Sequence, residues 1–382
     1  MRSLAAAFLL MTGNAATAQT TPPPIADNRD PGFGTTDQGR IEIVASISEP
    51  GPSGIAVIGG RIFLSFPKHD GDHAGPVLGE WKDGRVIPFP NARTASATTG
   101  DPAGRLVSVH GLTTDTKGRL WAIDDGKVKG QPIPPGGAKI VGFDPATGRL
   151  IGKVILKDAL LAGSHMNDLR IDLTHGAEGT AYVSDSSFDG RPALIVADIA
   201  TGRQRRVLAD DPRIKADPGY QTVLDGRVLR QDSASPTFPG GGVDGVTLSP
   251  DSTTLYFAPL SSRRLYSIAT AALSDFAQDD ATLAAAVKDE GEKGAADGLA
   301  TDRWGRIYTT AADHDAVFRR NADGSFDLIA RDPRFVWPDG IFADDTHVYV
   351  VLGQWTRLPR FHNGQDMRKP PYLIARMPIT AP

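Results

Sequence analysis

One pattern recurs along this chain, and it limits the possible folds more than any other feature. A small or polar residue is followed by an apolar run, a short turn rich in Gly, Asp or Thr, and a second apolar run. The copies are SGIAVIGGRIFLSF from Ser53, HGLTTDTKGRLWAID from His110, NDLRIDLTHGAEGTAYVSD from Asn167, DGVTLSPDSTTLYFA from Asp244, DGLATDRWGRIYTT from Asp297 and DGIFADDTHVYVVL from Asp339. Each copy predicts two antiparallel strands joined by a polar turn. A unit of this size cannot bury its apolar faces alone, so six copies predict stacking around a common centre.

Most copies are followed by two more strand-like runs. PVLGEW and RVIPFP follow the first, AKIVGF and RLIGKVIL the second, ALIVADI and RQRRVL the third, AVFRRN and SFDLIA the fifth. Four strands in each of six units predict an all-β fold, a six-bladed β-propeller. The last unit has one further clear run, YLIARMPI, before the sequence ends. RIEIVASI, residues 40–47, is expected to supply its missing strand, closing the ring and covering bare strand edges. Residues 209–242 and 270–294 read as insertions within blades, the second with a helical stretch around Ala281 to Lys288. Residues 40–382 are thus expected to be one propeller domain.

Composition narrows the function. The 42 glycines and 29 prolines are spread along the chain, which marks turns rather than disorder. A net charge of -4 with no long basic run argues against nucleic-acid binding by phosphate neutralisation. There is no cysteine, so neither a disulfide nor a thiol nucleophile is available. Arg2, the apolar run Leu4 to Met11 and Ala16-Thr17-Ala18 read as a signal peptide over 1–18, cleaved after Ala18. Residues 19–39 read as a flexible leader. No later segment is long and apolar enough for membrane insertion, so export to the periplasm or beyond is expected.

Propeller geometry then sorts the polar residues. Those just before each first strand, Ser53, His110, Asn167, Asp244, Asp297 and Asp339, are expected at one mouth of the central channel. The loops after each second strand return to that face, bringing His69, His73, His314 and His362 there, with His165 two residues before Asn167. His175 and His347 fall at the opposite end. Crowded carboxylates raise one another's pKa or bind a cation. The plain alternative is that Asp-Gly before a strand is turn chemistry around a water-filled channel. His69 and His73 are four apart, but Asp-Gly-Asp between them argues against a helical zinc pair. Ser53 lacks the surroundings of a nucleophile elbow, and DDGKVKG lacks phosphate-loop spacing.

The segments RIFLSFPKHDG, LVSVHGLTTDTKGRLWAIDDG, KIVGFDPATGRLI, MNDLRID, AYVSDSS, GVDGVTLSPDSTTLYFAPLSSRRLYSIAT and RKPPYLIARMPI resemble the major royal jelly protein and yellow family, in order and spacing, over roughly residues 40–379. The resemblance implies an exported six-bladed propeller. Family members include insect proteins that bind amines or sterols at the channel mouth, and others linked to dopachrome conversion. The insect members use disulfides; this cysteine-free chain looks like a distant, bacterial-type member. It is more distantly similar to the gluconolactonase and regucalcin group, in which a Glu, an Asn and an Asp hold a divalent cation. Asn167 and Asp244 match the last two, while Ser53 stands where the Glu would be.

These readings predict a small-molecule ligand at the mouth, converted by Asp244 as base with His110 as acid or base. Ser53, Asp297 and Asp339 would contact it, and Phe188, Trp355 and Phe361 would form the apolar wall. Asn167 and Asp244 would hold any divalent cation, whether calcium, magnesium or zinc. A tautomerase or isomerase acting on a quinone-like or aromatic compound, a metal-dependent lactone hydrolase, and a non-catalytic binding protein all remain open at this point.

Overall fold

The structure, a computed structural model, describes residues 41–188, 191–224, 227–230 and 240–381. The expected signal peptide and leader lie outside the described residues, as does part of the 209–242 insertion.

Six four-stranded antiparallel sheets are arranged as blades. Blade 1 holds Ile55–Ile58, Arg61–Ser65, Leu78–Lys82 and Arg85–Pro88. Blade 2 holds Val109–Thr114, Leu120–Asp124, Lys139–Phe143 and Leu150–Ile155. Blade 3 holds Met166–Asp172, Thr180–Asp185, Ala193–Asp198 and Gln204–Val207. Blade 4 holds Val243–Leu248, Thr254–Pro259, Arg264–Ala269 and Lys288–Glu292. Blade 5 holds Ala296–Thr301, Ile307–Ala311, Ala316–Arg320 and Phe326–Arg331. Blade 6 takes Pro338–Ala343, His347–Leu352 and Tyr372–Pro378 from the C-terminal side and Glu42–Ile47 from the N-terminal side.

The ring is therefore closed by the strand expected from residues 40–47. Ile47 pairs with Tyr372 and Glu42 with Arg376, whose guanidinium also meets the Glu42 carboxylate at 2.7 Å. The inner strands pack one against the next around the axis, and the last packs against the first. Each blade is covered on both faces by its neighbours, so its central strands are apolar throughout rather than alternating; Ala193–Asp198, ALIVAD, is buried at its first five positions. The core accordingly lies between blades. Trp121 and Ile140 meet Leu169 and Val183 between blades 2 and 3, and Ala45 and Ile374 meet Ile55 and Leu64 between blades 6 and 1.

The stretch 270–294 is less of an insertion than its composition suggests. It forms two short helices, Thr270–Ser274 and Asp280–Ala286, and then the outer strand of blade 4. That strand, KDEGE, is polar because its outward face meets water, which hides it from an apolar search. Residues 209–242 contribute a short antiparallel pair, Val223–Leu224 with Arg227–Val228.

The turns after the inner strands explain two of the recurring aspartates, Asp115 and Asp302. Asp302 accepts the Trp304 and Arg306 backbone N–H groups, the Arg306 Nε–H at 2.7 Å and the Tyr308 hydroxyl at 3.1 Å. Asp115 does the same for Lys117, Arg119 and the Trp121 indole. In blade 5, Gly305 takes φ +80°, the left-handed conformation that such a turn requires. These carboxylates belong to the end of the ring away from the mouth and are structural.

Candidate functional site

The mouth residues are not simply the residues before a strand. In five blades the pairing of inner and second strands slips by one residue near the start: between Val109 and Leu112, Met166 and Leu169, Val243 and Val246, Ala296 and Leu299, and Pro338 and Ile341. Such a bulge re-aims the side chains it carries. The bulges hold His110, Asn167, Asp244, Asp297 and Asp339, and Ser53 takes the corresponding place in blade 1. All six side chains line one cavity with about 930 Å³ of empty space, its open entrance included.

The residue after each of these is glycine except in blade 3, where it is Asp168. The glycines allow the blades to close on the axis. A Cβ at Gly54 would lie 2.4 Å from the His110 carbonyl oxygen, and one at Gly340 would lie 2.2 Å from that of Ser53. Asp168 and Arg170, from the same inner strand, instead send charged groups into the channel. Arg170 donates from Nη2 to the Leu299 carbonyl at 2.6 Å, reaching blade 5 from blade 3. Burial raises the Asp168 pKa and lowers that of Arg170, each opposed by the other's charge.

A hydrogen-bonded chain crosses the floor of the cavity. Asn167 Nδ2 donates to Ser186 Oγ at 3.3 Å, and Ser186 Oγ donates to Asp244 Oδ2 at 3.1 Å. Asp244 and Asp297 are both buried in the same cavity, close enough for the charge of Asp297 to oppose ionisation of Asp244. The Trp337 indole donates to Asp297 Oδ2 at 2.6 Å. Separately, Ser53 Oγ donates to Asp339 Oδ2 at 2.9 Å. Burial, reinforced by the neighbouring carboxylates, pushes Asp244 and Asp339 well above the ordinary aspartate range. Burial also lifts Asp297 to about 6, with Trp337, Asp244 and Lys293 holding it down. The Lys293 ammonium is fully buried beside them, and burial brings its pKa down to about 8.

A second cluster occupies the side of blades 1 to 3. The ligating atoms of His69, His110 and His165 lie within 4.8 Å of one another. His69 comes from the loop after the second strand of blade 1, and its Nδ1 meets the buried Asp125 carboxylate at 2.9 Å. His110 Nδ1 meets the Met166 carbonyl at 3.1 Å. Burial lowers His110 to about 4 and His165 well below the ordinary histidine value. Burial opposes charge on His69 too, yet Asp70 and Asp125 hold its pKa above the ordinary value. His73, four residues from His69, turns away to the Phe66 carbonyl. The sequence sorted all three clustered histidines to the mouth face but singled out only His110. His69 and His165 could have been found by noting that their loop and strand flank blade 2 on that face.

The aromatic wall is partly as expected. Phe188 and Trp355 stack with centroids 6.5 Å apart, and both line the cavity. Phe361 does not. It packs on Trp355 from outside, at 4.6 Å, and lines a separate groove with Leu224 and Trp337. The loop folds into two tight turns, Trp355–Arg357 and Pro359–Phe361, and these send the two rings to different sides. Arg360 lies over Trp355 and pairs with Asp70 at 2.6 Å, tying the last blade's loop to that of the first.

Asn167 and Asp244, the pair that the gluconolactonase likeness assigns to a divalent cation, both line the mouth cavity. Asn167 and Asp244 both hydrogen-bond to Ser186, and Ser53 hydrogen-bonds to Asp339. Among the described residues, the three histidines are the group of titratable side chains that converge closely enough for a metal.

Fold and site together define a six-bladed propeller with a buried acidic and imidazole-lined pocket at one mouth. The model of the major royal jelly protein family matches residues 107–366, and the chain belongs to that family. It is 24% identical over 242 residues to major royal jelly protein 1 of Apis mellifera, a match covering 60% of this chain and 52% of that protein. The chain thus spans about half the length of that relative. Among solved structures it is similar to a proposed gluconolactonase, with TM-score 0.52, 11% identity and coverage of 90% of this chain and 93% of that one. It is similar also to a luciferin-regenerating enzyme, with TM-score 0.51, 10% identity and coverage of 88% and 94%. At these identities the two structures speak for the fold alone.

Proposed function

We propose that the mouth pocket binds a small aromatic molecule and moves a proton on it, a tautomerisation or isomerisation of a quinone-like compound. The observation that carries this reading is the buried Asp244–Asp297 carboxyl pair lining the pocket, whose like charges oppose full ionisation. A pair that shares one proton offers a carboxylate and a carboxylic acid side by side at neutral pH. One oxygen can take a proton from a substrate position while the neighbouring acid returns one elsewhere, with no net change in the pair. His110, neutral at that pH, stands ready as a further acceptor. Phe188 and Trp355 supply a flat apolar surface for a ring, and Ser53, Asn167 and Asp339 supply polar contacts. Membership of the major royal jelly protein family supports a small-molecule pocket.

We further infer that the chain works outside the cytoplasm, from the Arg2, Leu4 to Met11 and Ala16-Thr17-Ala18 pattern. Among the described residues no helix is long and apolar enough to cross a membrane.

The test follows the visible absorbance of dopachrome with the parent protein and with Asp244→Asn and Asp297→Asn. Each variant should lose roughly 10²-fold or more of the parent's rate. Full activity in Asp244→Asn would remove its role as base. Quenching of Trp355 fluorescence by dopachrome without turnover would instead identify a binding protein. Lactone hydrolysis is the second reading, and the converging histidines are the observation in its favour.

A further inference from the structure

We propose that His69, His110 and His165 bind one divalent transition-metal ion of the zinc class, with a coordination position open to the mouth pocket. The site is distinct from Asn167 and Asp244, and it does not depend on the acid–base reading above.

The three imidazoles come from separate parts of the chain and from three successive blades, yet their ligating atoms gather within 4.8 Å. Their ring centroids are 4.6 to 5.3 Å apart. No hydrogen bond joins any two of them among the described contacts. Three imidazoles gathered in a largely buried corner offer nitrogen lone pairs that one cation can satisfy together.

The support behind the rings is that of a ligand set. A ligating histidine usually gives its other ring nitrogen to a carboxylate or a backbone carbonyl, which fixes the tautomer and aims the ring. His69 has a carboxylate behind it. Its Nδ1 meets Asp125, and Asp125 is itself fixed by accepting the Lys127 backbone N–H at 2.8 Å. His110 Nδ1 meets the Met166 carbonyl. His110 Nε2 makes no hydrogen bond among the described residues, and His69 Nε2 lies 3.7 Å from Asp70 Oδ2, beyond hydrogen-bond distance. The His165 ring has no hydrogen-bond partner among the described residues, and its backbone is pinned by Asp185 at 2.8 Å.

The ligand chemistry selects the ion. Three imidazoles suit zinc, cobalt, nickel or copper, whereas calcium and magnesium take oxygen ligands. Three protein ligands leave the fourth tetrahedral position to water or a bound molecule, as in catalytic rather than structural zinc sites. All three histidines line the mouth cavity, so that position faces the same space as Asp244 and Asp297. Bonds of about 2.0–2.1 Å would draw the nitrogens somewhat closer than their present outer spacing.

Cobalt(II) is the probe, because its visible absorption reports imidazole coordination without any turnover. The full chain, stripped with chelator, is titrated with Co²⁺, and bound metal is counted by mass spectrometry. One equivalent with a tetrahedral spectrum is expected. His69→Ala and His165→Ala should each weaken binding by at least about 100-fold, and Asp125→Asn by about 10- to 100-fold. Asp244→Asn should leave the cobalt spectrum and affinity unchanged. Circular dichroism identifies any variant that fails to fold; His69, on a loop, then carries the result. Absence of a stoichiometric cobalt complex in the parent, or loss of it in Asp244→Asn with retention in the histidine variants, would overturn the proposal. Failure of the dopachrome assay alone leaves this result untouched, so the two readings fail separately.

Discussion

The Trp337 indole N–H donates to Asp297 Oδ2 at 2.6 Å, fixing the carboxyl group that neighbours Asp244 in the mouth pocket. Both residues are buried. Removing the donor leaves a buried carboxyl oxygen without its partner, which costs about 1–3 kcal/mol. Trp337→Phe keeps most of the ring and deletes the N–H. Its urea unfolding midpoint should fall by a corresponding amount. An unchanged midpoint would mean that this contact does not hold the pair.

Asp297 also sets a pH dependence. Its pKa in the folded protein, about 6, lies above its ordinary value of 3.8, so the folded state binds this proton more tightly than the unfolded chain does. The stability this gives is fully present below the ordinary value and is lost as pH rises through about 6. Asp297→Asn removes the titration but keeps an oxygen to accept from Trp337. Melting temperatures measured from pH 4 to 7.5 should therefore converge: the variant gains on the parent as pH rises. A constant offset across that range would refute the assignment.

The repeats made the blades legible because each copy carries its own turn and its own apolar runs, and six copies leave one way to stack them. Ring closure was legible for a related reason: the last unit was a strand short and residues 40–47 were a strand without a unit. The bulges were not legible. A one-residue slip depends on how the inner strand pairs with its neighbour, and Asp297-Gly298 reads the same with or without it. The carboxylate ring was still found, since the bulge changes where the side chains point and not which residues carry them. The histidine cluster needed one further step, the adjacency of blades 1, 2 and 3. Phe361 went astray because a loop's apolar residues give no direction until its turns are known.

Closure by the N-terminal strand has an energetic consequence. Ile47 is buried between blades 6 and 1, against residues from both. Ile47→Ala should destabilise the whole ring by about 2–5 kcal/mol, since a cavity there weakens the last joint. A chain beginning at Glu49 should lose cooperative melting altogether. If that truncated chain melts like the parent, the strand is not what seals the propeller.

The glycine beside five of the six mouth residues makes a last prediction, and it comes with an internal control. At Gly340 an added Cβ would lie 2.2 Å from the Ser53 carbonyl oxygen, a backbone atom that cannot swing aside. Blades 6 and 1 would have to part, and with them Ser53 and Asp339, whose hydrogen bond crosses that joint. Gly340→Ala should cost about 3 kcal/mol, the upper end of ordinary overpacking. Gly71, on the rim of the same pocket, has open space where its Cβ would be and no positive φ. Gly71→Ala should stay within about 0.5 kcal/mol of the parent. Chemical denaturation of the two variants side by side measures the difference. Equal stabilities would show that close approach of the inner strands is not what the glycines provide, and the mouth would then owe its shape to the bulges alone.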